Sequence, residues 1–501
     1  MKDRVQRQRH GVRSGWRRIA TALLAVGILG TGQLAFAQAG QGAGAAPTAS
    51  GSADAALIEK GHQLAVAADC MACHTAVGSG EPFAGGYGIA SPMGTIYSSN
   101  ITPSKTAGIG DYTEAQFGKA LREGIRADGQ HLYPAMPYTS YSGLTDADVH
   151  ALYAYFMQGV KPVDKRAPVT DLPFPFGIRT SMSVWNMMFL KDTRFVPDPA
   201  HDAEWNHGAY LSNVLAHCSA CHTPRNFLMA EDFSRNLGGA QLGSWYAPNI
   251  TSDPVSGIGA WTDAELVSYL KTGRAPGKNQ AAGPMAEAVQ NSLQYLPDAD
   301  LKAIVTYLRS TKPIRDAAEQ KPAFSHGTAV SAEETLRGTS ALNSNGTLTS
   351  GEALFSGYCA SCHRVDGSGS PSQAYPSLSS NTATGARNPS NLISAILYGV
   401  DREAGGEHVL MPSFGEGSYV QSLKDDQIAA IANYVLTQYG NADAKVTADD
   451  VAVARRGGPQ PLLARMQPLM LPGIVIGVLV VVLLIVFGLS RRRAGGNAKR
   501  A

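Results

Sequence analysis

The chain has 501 residues, 44% of them hydrophobic and 16% charged, so it can bury real cores and is not a disordered polymer. Its formal net charge of +2 is set by the ends: the first 37 residues hold seven Lys/Arg and one Asp, and the last eleven hold five Lys/Arg and no acid. The middle keeps 30 basic against 39 acidic side chains, which argues against a nucleic-acid partner, because that needs a basic footprint.

Residues 1–37 read as an export signal: a basic stretch to Arg18, an apolar run from Ile19 to Gly30, then Ala35-Phe36-Ala37, whose small residues fit cleavage before Gln38. Residues 38–53, rich in Gly, Ala and Ser, read as a flexible leader. At the other end, residues 469–489 carry no charge and would form a helix about 31 Å long, matching a hydrocarbon core of roughly 30 Å. Arg491, Arg492 and Arg493 follow, which puts the tail, 490–501, in the cytoplasm and the body on the periplasmic side of the inner membrane. Gly473-x-x-x-Gly477 within the span offers a surface for packing on a second helix.

Between these ends the chain spells Cys-x-x-Cys-His three times and uses no cysteine elsewhere: Cys70 and Cys73 with His74, Cys218 and Cys221 with His222, Cys359 and Cys362 with His363. The motifs define three units, at 54–160, 205–311 and 350–440. The first two are near copies: "NITPSKTAGIGDYT" at 100–113 aligns without a gap to "NITSDPVSGIGAWT" at 249–262. Each unit closes with an apolar stripe at helical spacing, marked by Val149, Leu152, Tyr155 and Phe156, by Leu301, Ile304, Tyr307 and Leu308, and by Ile428, Ile431, Tyr434 and Val435. A second helix is predicted before each cysteine motif, with Gly61, Gly208 or Gly351 where opening and closing helices could cross closely. Residues 161–204 form a Pro-rich linker, 312–349 a polar one, and 441–468 a tether to the membrane span. No long alternating pattern appears, so the expected class is all-α with long loops.

Two thiols one helical turn apart, followed by an imidazole, are what thioether attachment and ligation of a haem require. Zinc would want two pairs close together, whereas these lie 148 and 141 residues apart. A redox dithiol belongs beside a βαβ pattern, which is missing, and structural disulfides leave the recurring His unexplained. Three covalently bound haem c groups are therefore expected. For the sixth iron ligand, Met411 is the sole methionine between Ser340 and Gly440, and Met136 and Met285 each fall 23 residues after the aligned Thr113 and Thr262. Met93, Met157 and Met229 compete but have no counterpart in the other repeat, and His408 is the nearest alternative to Met411. A thioether ligand closes the iron and raises its potential, which suits electron transfer. Pro376, thirteen residues after His363, could offer its carbonyl to that imidazole.

Taken with "YPAMPY" and the Pro-rich link, these motifs over about residues 54–440 resemble the triheme cytochrome subunit of membrane-bound periplasmic dehydrogenases of acetic acid bacteria. The resemblance implies three tandem class I cytochrome c domains plus one C-terminal transmembrane helix. It also implies a dehydrogenase catalytic subunit as partner, with room for a further small subunit, and ubiquinone as electron acceptor. The C-terminal span and the phrasing "AAGPMAEAV" favour the aldehyde dehydrogenase type, with an alcohol or sugar-acid dehydrogenase as alternative.

No substrate-pocket motif or catalytic base set is visible, so the chain reads as an electron relay rather than an enzyme alone. Two other classes stay open: a multi-haem peroxidase, which would need one haem without a firm sixth ligand, and a free-standing membrane cytochrome feeding a terminal oxidase. The segment "SMSVWNMMFL" at 181–190 reads either as interdomain packing or as an apolar patch for a partner, the membrane or quinone. Arg225 and Arg364, just past their histidines, are candidates to meet haem propionates.

Overall fold

Each unit is built on two helices that cross where a glycine removes the side chain between them. The computed structural model describes residues 49–78, 80–330 and 346–497, so the expected signal and most of the leader lie outside the described residues, as do part of the second linker and the last residues of the tail.

In unit 1, α1 (Ala49–Ala67) leads to α2 (Cys70–His74), a single turn carrying the first motif. A hairpin, β1 (Gly88–Ser91) with β2 (Gly94–Tyr97), precedes α3 (Glu114–Glu123), α4 (Tyr138–Tyr141) and the closing helix α5 (Asp146–Ala154). The linker carries α6 (Ser181–Phe189). Unit 2 repeats the order with α7 (Ala203–Tyr210), α8 (Ser219–His222), β3 (Ala240–Leu242) with β4 (Trp245–Ala247), and α9 (Asp263–Thr272). It then adds the short pair β5 (Arg274–Ala275) and β6 (Asn279–Gln280), α10 (Gly283–Asn291) and the closing α11 (Asp298–Arg309). Unit 3 has α12 (Gly351–Tyr358), α13 (Ala360–His363), α14 (Thr382–Gly385), α15 (Ser390–Tyr398), the hairpin β7 (Val400–Ala404) with β8 (Glu407–Met411), and α16 (Asp425–Tyr439). Two helices follow, α17 (Ala448–Arg455) and α18 (Leu462–Asn497).

The duplication extends to the caps. Thr113 and Thr262 each accept from the backbone three residues on, while Gln116 and Glu265 reach back to the cap amide, so α3 and α9 start with the same reciprocal pair. Both helices stop at a left-handed glycine, Gly124 at φ 64° and Gly273 at φ 72°. At the helix crossings, a Cβ on Gly61, Gly208 or Gly351 would overlap the backbone carbonyl of Ala151, Ala303 or Ala430 on the closing helix. The expected crossings are therefore real, and only glycine fits them.

Among the described residues the fold is helical with one addition that periodicity did not reveal: four two-stranded antiparallel hairpins. Their strands are two to five residues long, too short to display a period of two. The helix at the C-terminus also starts earlier than residue 469. Its stretch Leu462–Phe487, 26 residues, is long and apolar enough to cross a membrane, and it contains Pro468 and Pro472.

Units 1 and 2 share one apolar core in which Tyr141, Leu144 and Phe156 join Leu211, Val214 and Leu301, whereas unit 3 has its own around Phe355, Leu397, Ile428 and Leu436. The linkers are not free spacers. Val163 and Lys165 offer their carbonyls to Asn100, and Trp185 of α6 donates to the Leu228 carbonyl of unit 2 at 2.9 Å. Units 2 and 3 meet through Asn391, whose amide side chain pairs with both backbone groups of Tyr246 at 2.9 Å, and through Ser394 on the Ser244 carbonyl.

Candidate haem centres

Each Cys-x-x-Cys-His motif lies on one turn of helix at the end of an opening helix, so its two sulfurs and its imidazole project from a single short element. All six cysteines are free thiols. Burial pushes Cys70, Cys73, Cys218 and Cys359 up to about 12, and raises Cys221 as well. Thiols held in the neutral form are poor thiolate ligands and poor redox nucleophiles. Among the described residues no three His, Cys, Asp or Glu side chains gather as a metal-binding cluster.

The three imidazoles are held in one way. His74 Nδ1 lies 2.7 Å from the carbonyl of Ser99, His222 Nδ1 2.7 Å from that of Pro248, and His363 Nδ1 2.9 Å from that of Pro376. A carbonyl only accepts, so each Nδ1 donates the proton and each Nε2 keeps its lone pair for a ligand. Burial lowers the proton affinity of all three rings, which favours the neutral imidazole that a metal needs. The Pro376 carbonyl is where the spacing suggested. The carbonyls of Ser99 and Pro248 were not foreseen, although the repeat marks them, since each directly precedes the duplicated Asn-Ile-Thr.

That tripeptide is the brace behind the imidazole. Asn100 Oδ1 accepts from the Thr102 amide and hydroxyl at 2.9 and 2.7 Å, and Asn249 Oδ1 does the same for Thr251 at 2.8 and 2.6 Å. Their Nδ2 atoms reach the chain that leaves each unit, at Val163 and Lys165 in one case and at Ile314 in the other. Thr102 and Thr251 hydroxyls then accept from the amides of Val163 and Ile314. The carbonyl that aims the histidine is thereby locked to the end of its own unit.

A single cavity of about 1310 Å³ is lined by Cys218, Cys221, His222 and Met285 of unit 2 and by Cys359, Cys362, His363 and Met411 of unit 3, and it reaches Cys73 of unit 1. This exceeds the usual range for one small-ligand pocket, roughly 300–1,000 Å³. Cys70 and Met136 pack together against the shared core of units 1 and 2. Met136 stands in a loop just before α4, whereas Met285 is on the first turn of α10, so the aligned methionines sit on different local structure. On β8, Val409 and Met411 face inward, while His408 faces out and pairs with Asp401 at 2.7 Å.

Helix α10 touches all three units. It carries Met285 into the cavity, it packs on α2 of unit 1, and its Gln290 accepts from the Glu403 amide of unit 3 at 2.9 Å. The cationic groups of the cavity wall are Arg235, Arg315 and Arg387. Arg225 and Arg364 are not among its lining. Arg225 turns back to the Ala220 carbonyl and Glu231. Residues 181–190 take the packing role read for them: on α6, Trp185 and Asn186 are buried between units 1 and 2, while Val184, Met187 and Met188 are exposed.

Paired thiols and three imidazoles whose Nδ1 is committed to a carbonyl fit haem c in chemistry, and the cavity that Met285, Met411 and three guanidinium groups help to line fits it in volume. Three stretches, 58–159, 208–312 and 348–438, match the cytochrome c family, so the fold and the sites define a c-type cytochrome. The chain is 53% identical to the fructose dehydrogenase cytochrome subunit of Gluconobacter japonicus over 448 residues, which cover 87% of this chain and 91% of that one. It is 40% identical to the cytochrome c subunit of a quinone alcohol dehydrogenase of Gluconacetobacter polyoxogenes (83% of this chain, 88% of that one). Identity to the gluconate 2-dehydrogenase cytochrome c subunit of Pantoea cypripedii is 38% (81% and 90%). The chain belongs to the cytochrome c family, and within it to the cytochrome c subunits of dehydrogenase complexes, which transfer electrons. These relatives point to fructose, alcohol and gluconate where the sequence reading leaned to aldehyde.

Proposed function

We propose that this chain is the triheme electron relay of a periplasmic sugar or alcohol dehydrogenase, passing electrons from the catalytic subunit to ubiquinone in the inner membrane. Its haem-bearing domains would be 54–160, 205–311 and 350–440. Cys70 and Cys73, Cys218 and Cys221, and Cys359 and Cys362 would hold the groups covalently. The axial pairs would be His74 with Met136, His222 with Met285, and His363 with Met411.

The observation that carries this reading is the threefold Nδ1-to-carbonyl hydrogen bond, repeated in units of different sequence, opposite methionines that line the same cavity in units 2 and 3. Bound haem supplies a one-electron couple that needs no proton transfer. The protein's part is to fix the imidazoles through Ser99, Pro248 and Pro376, to offer a soft thioether that favours the reduced state, and to keep the walls apolar. A methionine for every unit leaves little room for the peroxidase reading. The span within α18 supports a membrane location, and the quinone in the name of the alcohol dehydrogenase relative supports the acceptor. Fructose is the favoured substrate of the partner, on the 53% identity to a fructose dehydrogenase subunit.

The test is to purify the chain from detergent-solubilised membranes with what accompanies it, then add fructose, ethanol, gluconate and acetaldehyde in turn. Haem reduction by fructose, with no substrate oxidation by the isolated subunit, is expected. Reduction by acetaldehyde alone would overturn the substrate assignment, and absence of any dehydrogenase partner would favour the free-standing cytochrome. For the ligands, Met411→Ala should lower one midpoint potential and open that haem to carbon monoxide; an unchanged titration would reject Met411.

A further inference from the structure

Units 1 and 2 keep step through their duplicated region, so a place where their walls differ is informative. In unit 1 the glycine ending α3, Gly124, lies under the ring of Tyr138, so close that a Cβ would stand 2.6 Å from it. Tyr138 is wholly buried and donates its hydroxyl to Asn186 on the linker helix at 2.8 Å. In unit 2 the corresponding glycine is Gly273, and the residue aligned with Tyr138 is Glu287, which turns away to accept from the Tyr87 hydroxyl at 3.2 Å. The place over Gly273 is filled from another unit. Arg402, on β7 of unit 3, lays its guanidinium there, with Nε 2.7 Å from where a Cβ would stand. The neighbouring contact is conserved between the repeats: the Leu132 amide donates to Gly124 at 2.7 Å and the Ala281 amide to Gly273 at 2.8 Å. The Ala281 carbonyl then accepts from Arg402 Nη1 at 2.5 Å.

Arg402 is 1% exposed, and among the described residues its Nε and Nη2 have no hydrogen-bond partner. Glu407, on the same hairpin, pairs with Arg274 and not with Arg402. The cation is therefore buried without a counter-ion among the described residues, an arrangement that is costly by itself. Its surroundings belong to the candidate centres: Tyr269 and Ala281 of unit 2, and Val400, Val409 and Met411 on its own hairpin, line the shared cavity. In such a medium a positive charge acts at short range with little screening, and it favours any neighbour that gains an electron.

We propose that Arg402 is a positioning group lent by unit 3 to unit 2, setting the reduction potential of the unit 2 centre above that of unit 1, where neutral Tyr138 holds the same place. Unit 2 then draws electrons from unit 1, and docking of the β7–β8 hairpin is what confers this. This rests on the three-haem reading.

The experiment is a redox titration of the full chain in detergent for Arg402→Met and Arg402→Lys, with intact mass first establishing three haem additions in each. A wild-type chain without those additions would refute the haem reading itself, and leave Arg402 aside. With three haems present, Arg402→Met should lower one midpoint by an amount equal to about tenfold in its electron-exchange equilibrium, about 59 mV for one electron. The other two should hold, and Arg402→Lys should restore most of the loss. The midpoint that moves should be the one that moves in Met285→His, and the shift should persist at high salt, because a buried charge is hardly screened. No shift, an equal shift in the Lys and Met variants, or a shift confined to the unit 3 haem would overturn the proposal. If Arg402→Met loses the unit 2 haem, Arg402→Gln carries the same test; loss in both would make Arg402 a structural strut and end it.

Discussion

Tyr210 of unit 2 donates its hydroxyl to Asp148 of unit 1 at 2.5 Å, and the same carboxylate takes Lys60 at 2.7 Å and the Asp148 amide's own cap, Thr145, stands beside it. One buried carboxylate thus ties the opening helix of one unit, the closing helix of the same unit and the opening helix of the next.

Burial alone would raise the proton affinity of Asp148, but the hydrogen bonds from Lys60, Tyr210 and Thr145 outweigh it and hold the group below the usual carboxylate value. A depressed folded-state value means stability that is present above the unfolded pKa and lost as pH falls through the folded one. Asp148→Asn should therefore cost roughly 1–3 kcal/mol at neutral pH, with the gap to wild type closing in acid. Denaturant titrations across that range, read by haem absorbance, check it.

The Asn-Ile-Thr brace gives a second expectation. Asn100 is buried and satisfies two carbonyls and two donors. Asn100→Ala should cost about 2–3 kcal/mol, the range for leaving buried partners unpaired. It should also shift one midpoint, because the Ser99 carbonyl that aims His74 is the preceding residue. A loss of stability with all three midpoints unchanged would show that the brace holds the linker without orienting the histidine.

Gly208→Ala should be among the most damaging single-methyl additions, since its Cβ would overlap the Ala303 carbonyl and neither helix can move without unpacking the core. Overpacking of this kind costs about 3 kcal/mol, so a drop in haem-loaded protein is expected. Gly473→Ala in α18, where nothing lies within 4 Å of the added carbon, is the matched control and should leave yield unchanged.

Ending the chain before Leu462 removes the apolar stretch Leu462–Phe487 and the arginines beyond it. The truncated protein should appear in the soluble periplasmic fraction with its three haems attached. Fractionation followed by haem staining decides this, and recovery in the membrane pellet without any partner would count against α18 as the anchor.

The parts legible in the sequence were those with local signatures. The attachment motifs and the closing helices depend on residues a few positions apart, and the glycine crossings showed because a glycine precedes each motif. Met411 could be singled out because its unit holds no rival. Parts that depend on distant pairings were hidden: the Ser99 and Pro248 carbonyls lie 25 and 26 residues from their histidines, and the hairpins are too short to announce themselves. Arg402 had no signature at all, since its meaning depends on the unit 2 glycine it covers.

The shared cavity also bears on how the protein is made. Because Cys218 and Met411 line one continuous space, units 2 and 3 cannot each be finished and then joined like sealed beads. On the three-haem reading, both motifs would be loaded before the two units close on each other. A chain without its third group would then leave the second beside an empty space, so that one failed attachment would disturb two units.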